Sequence, residues 1–286
     1  MKNLLAQVLI LIIVASCTQV KKNNVTLEKT NTDARAFSEK LFDINKVSFE
    51  FAYQLEKSKI TFVENIINNP YEFRDYKADI NISAANIGIY AADAQYLKAY
   101  GFKDQAYLSS QSARKLLNLL KIYKTDTVLH QIKPGYKTTD SAIFILNNAL
   151  KDSINEFTEY ERKQYLFSLI LGSFIEKNYL ILSALTTNVN YNKPDIQNIL
   201  HLLNNHNAQL SNVFALRNKF IKGEYKSYLR DDLIKYNAYY LDNASILTQG
   251  HNQQATEAVI KNLLTRIIDM RNFIIYAEIL IPDKKE

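Results

Sequence analysis

The sequence predicts an all-α protein, a multi-helix bundle of about eight helices with two of them central and apolar. Glycine and proline number only six and four in 286 residues, whereas strand-rich folds use many of both in tight turns. All four prolines and four of the six glycines lie between, or at the ends of, segments in which apolar residues recur every three or four positions. Apolar residues make up 47% of the chain, a proportion typical of a globular protein with a packed core.

The first three predicted helices span 34–68, 80–100 and 103–121. Pro70 follows the first of them, and Gly101 separates the second from the third. The fourth predicted helix, 139–155, follows Pro134 and Gly135. Glycine and proline are the expected punctuation at helix ends.

The last four predicted helices span 159–186, 194–222, 225–248 and 252–280. Thr158 and Glu161 fit a capping box, in which a hydroxyl and a carboxylate satisfy reciprocal backbone N–H groups. Pro194 suits a first helical turn. The last helix has an apolar stripe at three- and four-residue steps: Val259, Leu263, Ile267, Met270 and Ile274. Its charged residues are predicted largely on other faces: Lys261, Arg266, Asp269 and Arg271.

Two predicted helices, around 80–101 and 165–185, are apolar on nearly every side, which is typical of a helix surrounded by others. Each contains an interior glycine, Gly88 or Gly172, which costs about 1 kcal/mol relative to alanine. Close approach of another backbone would offset that cost, so we expect these helices to pack against each other. The second helix is not expected to span a membrane, because the charged residues Glu176 and Lys177 lie at its centre.

The chain begins with features of an exported lipoprotein. Residues 1–3 are basic and 4–14 are almost wholly apolar, a run too short for a permanent span of about 20 residues. The sequence VASC at 14–17 resembles the bacterial lipobox, in which the thiol receives a diacylglycerol and cleavage leaves cysteine first. Cys17 is therefore the predicted lipidation site, with acyl chains such as palmitate providing the anchor. The alternative is an ordinary signal peptide with an incidental cysteine.

These features predict three regions: a signal peptide at 1–16, a flexible tether at 17–33 and a single α-helical domain at 34–286. The tether has few large apolar residues and no periodicity. Cys17 is the only cysteine, so an acylated mature chain has neither a disulfide nor a cysteine nucleophile.

The stretch NIGIYAADAQYLKAYGFKDQAYLSSQSARKLL at 86–117 resembles an uncharacterised family of all-helical bacterial lipoproteins found mainly in the Bacteroidota. Its motif Leu-Gly-x-Tyr-x-x-Asp-x-x-Tyr matches the segment 87–96, with isoleucine in place of the leucine. The segments 169–185 and 267–275 resemble two further helices of that family. The resemblance implies an outer-membrane lipoprotein and no particular reaction. Because Lys21 and Lys22 follow the cysteine where surface-exported members carry acidic residues, the periplasmic face is favoured.

Motifs for catalysis and metal binding are weak. The four histidines are His130, His201, His206 and His251. His201 and His206 are five residues apart, so they project from different faces of a helix, and we predict no metal site. There is no Gly-x-Ser-x-Gly elbow and no glycine-rich phosphate loop, and we predict no cofactor.

Asp93 and Glu176 are the candidate site residues, because a carboxylate in an apolar helix must find donors or a raised pKa. Tyr90 and Tyr96 are predicted to lie with them in a buried polar pocket, and Lys177 and Tyr179 are further candidate donors. The pair could form a structural hydrogen bond, line a ligand pocket or act in catalysis.

The sequence favours a non-enzymatic domain at the cell envelope that binds an envelope protein or a small apolar ligand. The alternative is an envelope hydrolase, or a small-ligand-binding protein, that uses the buried carboxylates. The net charge of +6 is spread along the chain without a basic stripe, so nucleic acid is not an expected partner.

Overall fold

The computed structural model describes residues 51–71, 80–120, 160–187, 191, 193–220, 230–249 and 252–276. Within these ranges there are seven α-helices, one short 3₁₀ helix and no strand, which confirms the all-α class. The signal peptide, the tether, Cys17 and the helix at 139–155 lie outside the described residues. The total of eight helices, the two central ones and the domain bounds 34–286 stay predictions.

The helices are α1 (Phe51–Lys57), α2 (Ile80–Ala99), α3 (Lys103–Leu119), α4 (Tyr160–Thr186), α5 (Pro194–Phe220), α6 (Arg230–Gln249) and α7 (Gln253–Ile275), with the 3₁₀ helix at Glu64–Ile66. From α2 onward they agree with the predicted helices to within a few residues. Pro194 begins α5 as expected. Asn252 caps α7, since its side-chain oxygen accepts the Ala255 N–H at 3.0 Å.

The first predicted helix, 34–68, is wrong beyond residue 57. Lys59 has a φ of 55°, which turns the chain out of α1. The Lys59 N–H donates to the Glu56 carbonyl at 2.8 Å, and the Ile60 N–H donates to the Leu55 carbonyl at 3.2 Å. These two bonds form a Schellman motif, which normally has glycine in the left-handed position.

Residues 58–71, which we call the strap, run from α1 towards α2 without α-helical structure. Their backbone groups have few partners within the strap, so side chains of other helices supply them. Three such bonds are Tyr100 Oη to the Ile60 carbonyl at 2.9 Å, the Val63 N–H to Tyr96 Oη at 3.1 Å, and Ser112 Oγ to the Pro70 carbonyl at 3.0 Å. The strap is therefore held by α2 and α3.

Helices α2 and α4 touch backbone to backbone at the two interior glycines. A Cβ added to Gly172 would overlap the Ala85 carbonyl oxygen and lie 2.6 Å from its carbonyl carbon. A Cβ added to Gly88 would overlap the Leu169 carbonyl oxygen and the Ser173 nitrogen. The close approach expected from the glycines is therefore present, and it fixes how the side chains of the two helices meet.

The apolar stripe of α7 is buried as predicted, whereas one of its charged residues is placed differently. Lys261 and Asp269 are exposed, but Arg271 is only 8% exposed. Its predicted position on another face is therefore wrong, because its side chain reaches a buried carboxylate between α2 and α4.

One segment of the described chain, Gln164–Thr186, is long and apolar enough to cross a membrane by length and composition. In the fold, 94% of its most apolar window is buried against other helices.

Candidate functional site

Asp93 of α2 and Glu176 of α4 meet in the protein interior. Both side chains are 0% exposed, and the charge of Glu176 acts on the Asp93 carboxyl. Each lies about one helical turn after the glycine at which its helix contacts the other. The sequence identified the two acids separately, and the glycine contact brings them together.

Arg271 of α7 completes the site. Its Nε donates to Glu176 Oε2 at 2.6 Å, and its Nη2 donates to the Ile66 carbonyl at 3.2 Å. The guanidinium carbon also lies 4.4 Å from the ring centroid of Tyr179, a cation–π distance. We call Asp93, Glu176 and Arg271 the acid–arginine cluster.

The strap contacts both ends of this cluster. The Asn68 N–H donates to Asp93 Oδ2 at 3.2 Å, while Ile66 accepts from Arg271 as described above. A negative group thus takes a backbone donor and a positive group takes a backbone acceptor. Sequence reasoning missed both strap contacts, because backbone groups in an irregular segment leave no residue pattern.

Burial and neighbouring charge act together on the cluster. Burial raises the pKa of Asp93 well above its usual value, the negative Glu176 raises it further, and Arg271 acts in the opposite direction. Burial opposes the charged form of Arg271, but Glu176 and Asp93 outweigh it and raise the pKa of the guanidinium. Within the cluster, Asp93 is therefore the carboxyl whose neutral form the surroundings favour.

The other predicted site residues have different surroundings. Tyr90 is buried, at 1% exposure. The Tyr96 hydroxyl accepts the Val63 N–H, and its ring stacks on Phe62 with centroids 5.3 Å apart. The Tyr179 ring faces Arg271. The tyrosines therefore shape and cover the site, and the donors come from Arg271 and the strap.

A second polar cluster joins α4, α5 and α6 through neutral groups. Tyr236 Oη lies 3.1 Å from Asn178 Oδ1 and 3.0 Å from Asn207 Oδ1. Asn178 Nδ2 donates to the Phe174 carbonyl at 3.1 Å, which fixes that amide. One hydroxyl proton serves one acceptor, so the Asn207 amide must turn its NH₂ towards Tyr236. That rotation also gives the buried Asn207 Nδ2 a partner.

His206 lies beside the second cluster and does not join the first. Its ring stacks on Phe174 with centroids 4.7 Å apart. Burial, and then the charge of Lys177, lowers the pKa of His206 to about 3, so the imidazole is neutral. His201 is exposed on the same helix, and His130 and His251 lie outside the described residues.

The acid–arginine cluster is suited to holding structure and charge in a closed interior. In the part of the chain that the structure describes, no group of three histidine, cysteine, aspartate or glutamate residues could hold a metal ion. No protein-family model, curated protein or solved structure matches this chain.

Proposed function

We propose that this chain is a membrane-anchored envelope lipoprotein whose helical body is a binding or interaction domain without catalytic activity. One observation supports the proposed lack of catalytic activity. Both candidate carboxyl groups are 0% exposed, Glu176 is hydrogen-bonded to Arg271, and Asp93 is hydrogen-bonded to the strap. The VASC sequence at 14–17 supports the anchor.

The closed geometry disfavours acid–base catalysis. A general acid or base must come within about 3 Å of the proton it transfers, directly or through one water. Asp93 and Glu176 lie beneath the strap and between two helices in backbone contact. A substrate would have to displace the strap and break the hydrogen bonds to Arg271 and Asn68 before it reached either acid.

The second candidate function is a small-ligand-binding protein or envelope hydrolase that uses these carboxyls. One observation favours it: Asp93 Oδ1 and Glu176 Oε1 are buried and have no N–H or O–H partner among the described residues. Such atoms are potential ligand contacts. A single proton between them also accounts for their state, so the structural role is the simpler account.

The finer proposal is an outer-membrane lipoprotein facing the periplasm, with one helical domain at 34–286 built from about eight helices. Two apolar helices, α2 and α4, would lie at its centre and leave the outer helices to face partners. The resemblance at 86–117 to Bacteroidota-type lipoproteins supports this proposal. Its partner would be an envelope protein or a small apolar ligand, and it needs no cofactor.

Cys17→Ser tests the anchor directly. We expect the variant to lose incorporation of labelled palmitate and to leave the membrane fraction, because the thiol is the acceptor of the lipid. Ser16→Ala is the matched control, since it keeps both the thiol and a small residue before it. A Cys17→Ser protein that stayed fully membrane-bound would contradict the proposal.

Co-purification from solubilised membranes, with mass spectrometry of protein and lipid, tests the binding role. We expect wild type and Asp93→Asn to recover the same partner, because the acid acts inside the fold. If a folded Asp93→Asn protein lost a small molecule that wild type retains, the ligand-site alternative would replace this reading.

A further inference from the structure

One oxygen of Asp93 and one oxygen of Glu176 are buried without a hydrogen-bond donor among the described residues. Asp93 Oδ2 takes the Asn68 N–H, and Glu176 Oε2 takes the Arg271 Nε–H. No N–H or O–H group of the described residues reaches Asp93 Oδ1 or Glu176 Oε1, and the two carboxyl groups are close enough for the charge of one to act on the other. Ionised carboxylates only accept hydrogen bonds, so a bond between these two oxygens needs one proton.

We propose that Asp93 and Glu176 form a buried proton-binding site, and that the bound proton latches the strap, residues 58–71, onto the helices. With the proton, the cluster carries one negative and one positive charge. Without it, two carboxylates face one guanidinium in a site with no solvent exposure of either acid. An uncompensated buried charge is strongly unfavourable. Loss of the proton should therefore favour any movement that lets water reach the two carboxylates.

The surroundings decide which carboxyl holds the proton. Glu176 Oε2 accepts a charge-assisted hydrogen bond from Arg271 Nε at 2.6 Å. The groups that act on Asp93 are Glu176 and Tyr179 from α4, Arg271 from α7 and the Asn68 N–H from the strap. Burial and then Glu176 raise the pKa of Asp93. The proton therefore resides on Asp93 and is donated to Glu176 Oε1.

The strap is the part of this site that can move. It contributes the Asn68 N–H to Asp93 and the Ile66 carbonyl to Arg271, and its remaining anchors are single side-chain bonds from α2 and α3. Helices α2 and α4, in contrast, are locked by their glycine contact. Lifting the strap admits water to Asp93, whose acidity then returns towards that of an ordinary aspartate.

The linkage gives the direction and size of the pH effect. The latched state keeps the proton to a higher pH than the open state does, so raising the pH favours opening. Between a pH of about 4 and the raised pKa of latched Asp93, the open fraction grows by up to about tenfold per pH unit. Above that pKa the increase stops.

Hydrogen–deuterium exchange of the full chain at several pH values tests the latch, with each rate corrected for intrinsic amide exchange. We expect protection of the strap amides in wild type to fall as the pH rises, by up to about tenfold per unit. Asp93→Asn keeps an N–H donor towards Glu176 and cannot ionise, so its strap should stay protected at every pH. Amides of α6, which contacts neither carboxyl, are the internal control.

The proposal would be overturned if the protection of the strap amides depended on pH in the same way in wild type and in Asp93→Asn. It would also be overturned if that protection did not change with pH in wild type. If Asp93→Asn fails to fold, infrared spectroscopy of wild type decides the matter. A protonated carboxylic acid at neutral pH that is shielded from solvent exchange is the expected result, and its absence would remove the proton site. Neither measurement depends on the lipid anchor.

Discussion

Glu176 and Lys177 are adjacent in the sequence and both are 0% exposed, yet α4 presents them to different regions of the molecule. Glu176 faces α7 and the strap, where Arg271 holds it at 2.6 Å. Lys177 faces α1, where its Nζ lies 5.9 Å from the ring centroid of Phe51. Burial lowers the pKa of Lys177 to about 7, whereas the guanidinium next to Glu176 gains affinity for its proton.

The difference shows that burial alone does not determine how an ionisable group behaves. On the Glu176 side an opposite charge offsets desolvation, and the result is a charged pair that anchors an irregular segment. On the Lys177 side desolvation dominates, and the ammonium is close to losing its proton at neutral pH. Lys177 on one side of α4 and Asp93, which meets Glu176 on the other side, should therefore make opposite contributions to the pH dependence of stability.

Removing Arg271 should have the largest effect on this comparison. In Arg271→Met the Glu176 carboxylate loses its counter-charge inside the protein, and we expect a loss of about 3–5 kcal/mol in the free energy of unfolding. Urea denaturation followed by circular dichroism measures it. Arg266→Met on the same helix is the matched control. Among the described residues, the polar and cation–π contacts of Arg266 are with Asn262 and the Tyr239 ring, and their loss should cost about 1 kcal/mol or less. Equal losses for the two variants would contradict the role of the acid–arginine cluster.

Gly172→Ala should have an intermediate effect and should act on the Glu176 side. The added Cβ would overlap the Ala85 carbonyl oxygen, and a backbone atom cannot move aside as a side chain can. We expect a loss of about 1–3 kcal/mol, typical of overpacking, together with weaker strap protection in hydrogen exchange. Unchanged stability would show that α2 and α4 separate without cost, and would break the link between the glycine contact and the acids.

Lys177→Met tests the other side of α4, and the pH dependence of its effect has the opposite sign to that of Asp93. The pKa of Lys177 is lowered from 10.5 to about 7, so the unfolded chain binds more protons between those values. Wild-type stability therefore gains a contribution from this lysine of about 1.4 kcal/mol per pH unit across that window, and methionine lacks it.

Urea denaturation of Lys177→Met and wild type at pH values from 7 upward checks this prediction. The variant should be the more stable protein at pH 7, and its advantage should shrink as the pH rises. Lys235→Met is the control, because Lys235 is exposed on α6 and pairs with Asp232 at 3.5 Å. Parallel stability profiles for Lys177→Met and wild type would mean that the lysine keeps its proton in the fold.

The two chain reversals show how far sequence patterns could predict this fold. At the end of α2 the Gly101 N–H donates to Lys98 at 3.0 Å and the Phe102 N–H donates to Leu97 at 2.9 Å, the same motif that ends α1. Gly101 has a φ of 84°, a conformation that glycine favours, so the sequence predicts that the helix ends there. Lys59 adopts a similar conformation without being glycine, so the end of α1 carried no comparable signal.

The candidate site was predictable only in part. Asp93 and Glu176 stand out because each is a carboxylate in an apolar helix. Arg271 does not, because an arginine near the end of an amphipathic helix usually faces solvent and its long side chain can reach a distant acid. Its partner Glu176 is 95 positions away, a separation that helical periodicity does not address.

The strap has a consequence for the order in which the protein assembles. The hydrogen bond from Arg271 to the Ile66 carbonyl joins residues 205 positions apart, and the other anchors of the strap also come from later in the chain. Contacts between residues so far apart form only after a large loss of chain entropy. The bonds from α2 and α3 can therefore hold a newly made strap first, whereas the Ile66 carbonyl waits for Arg271 of α7.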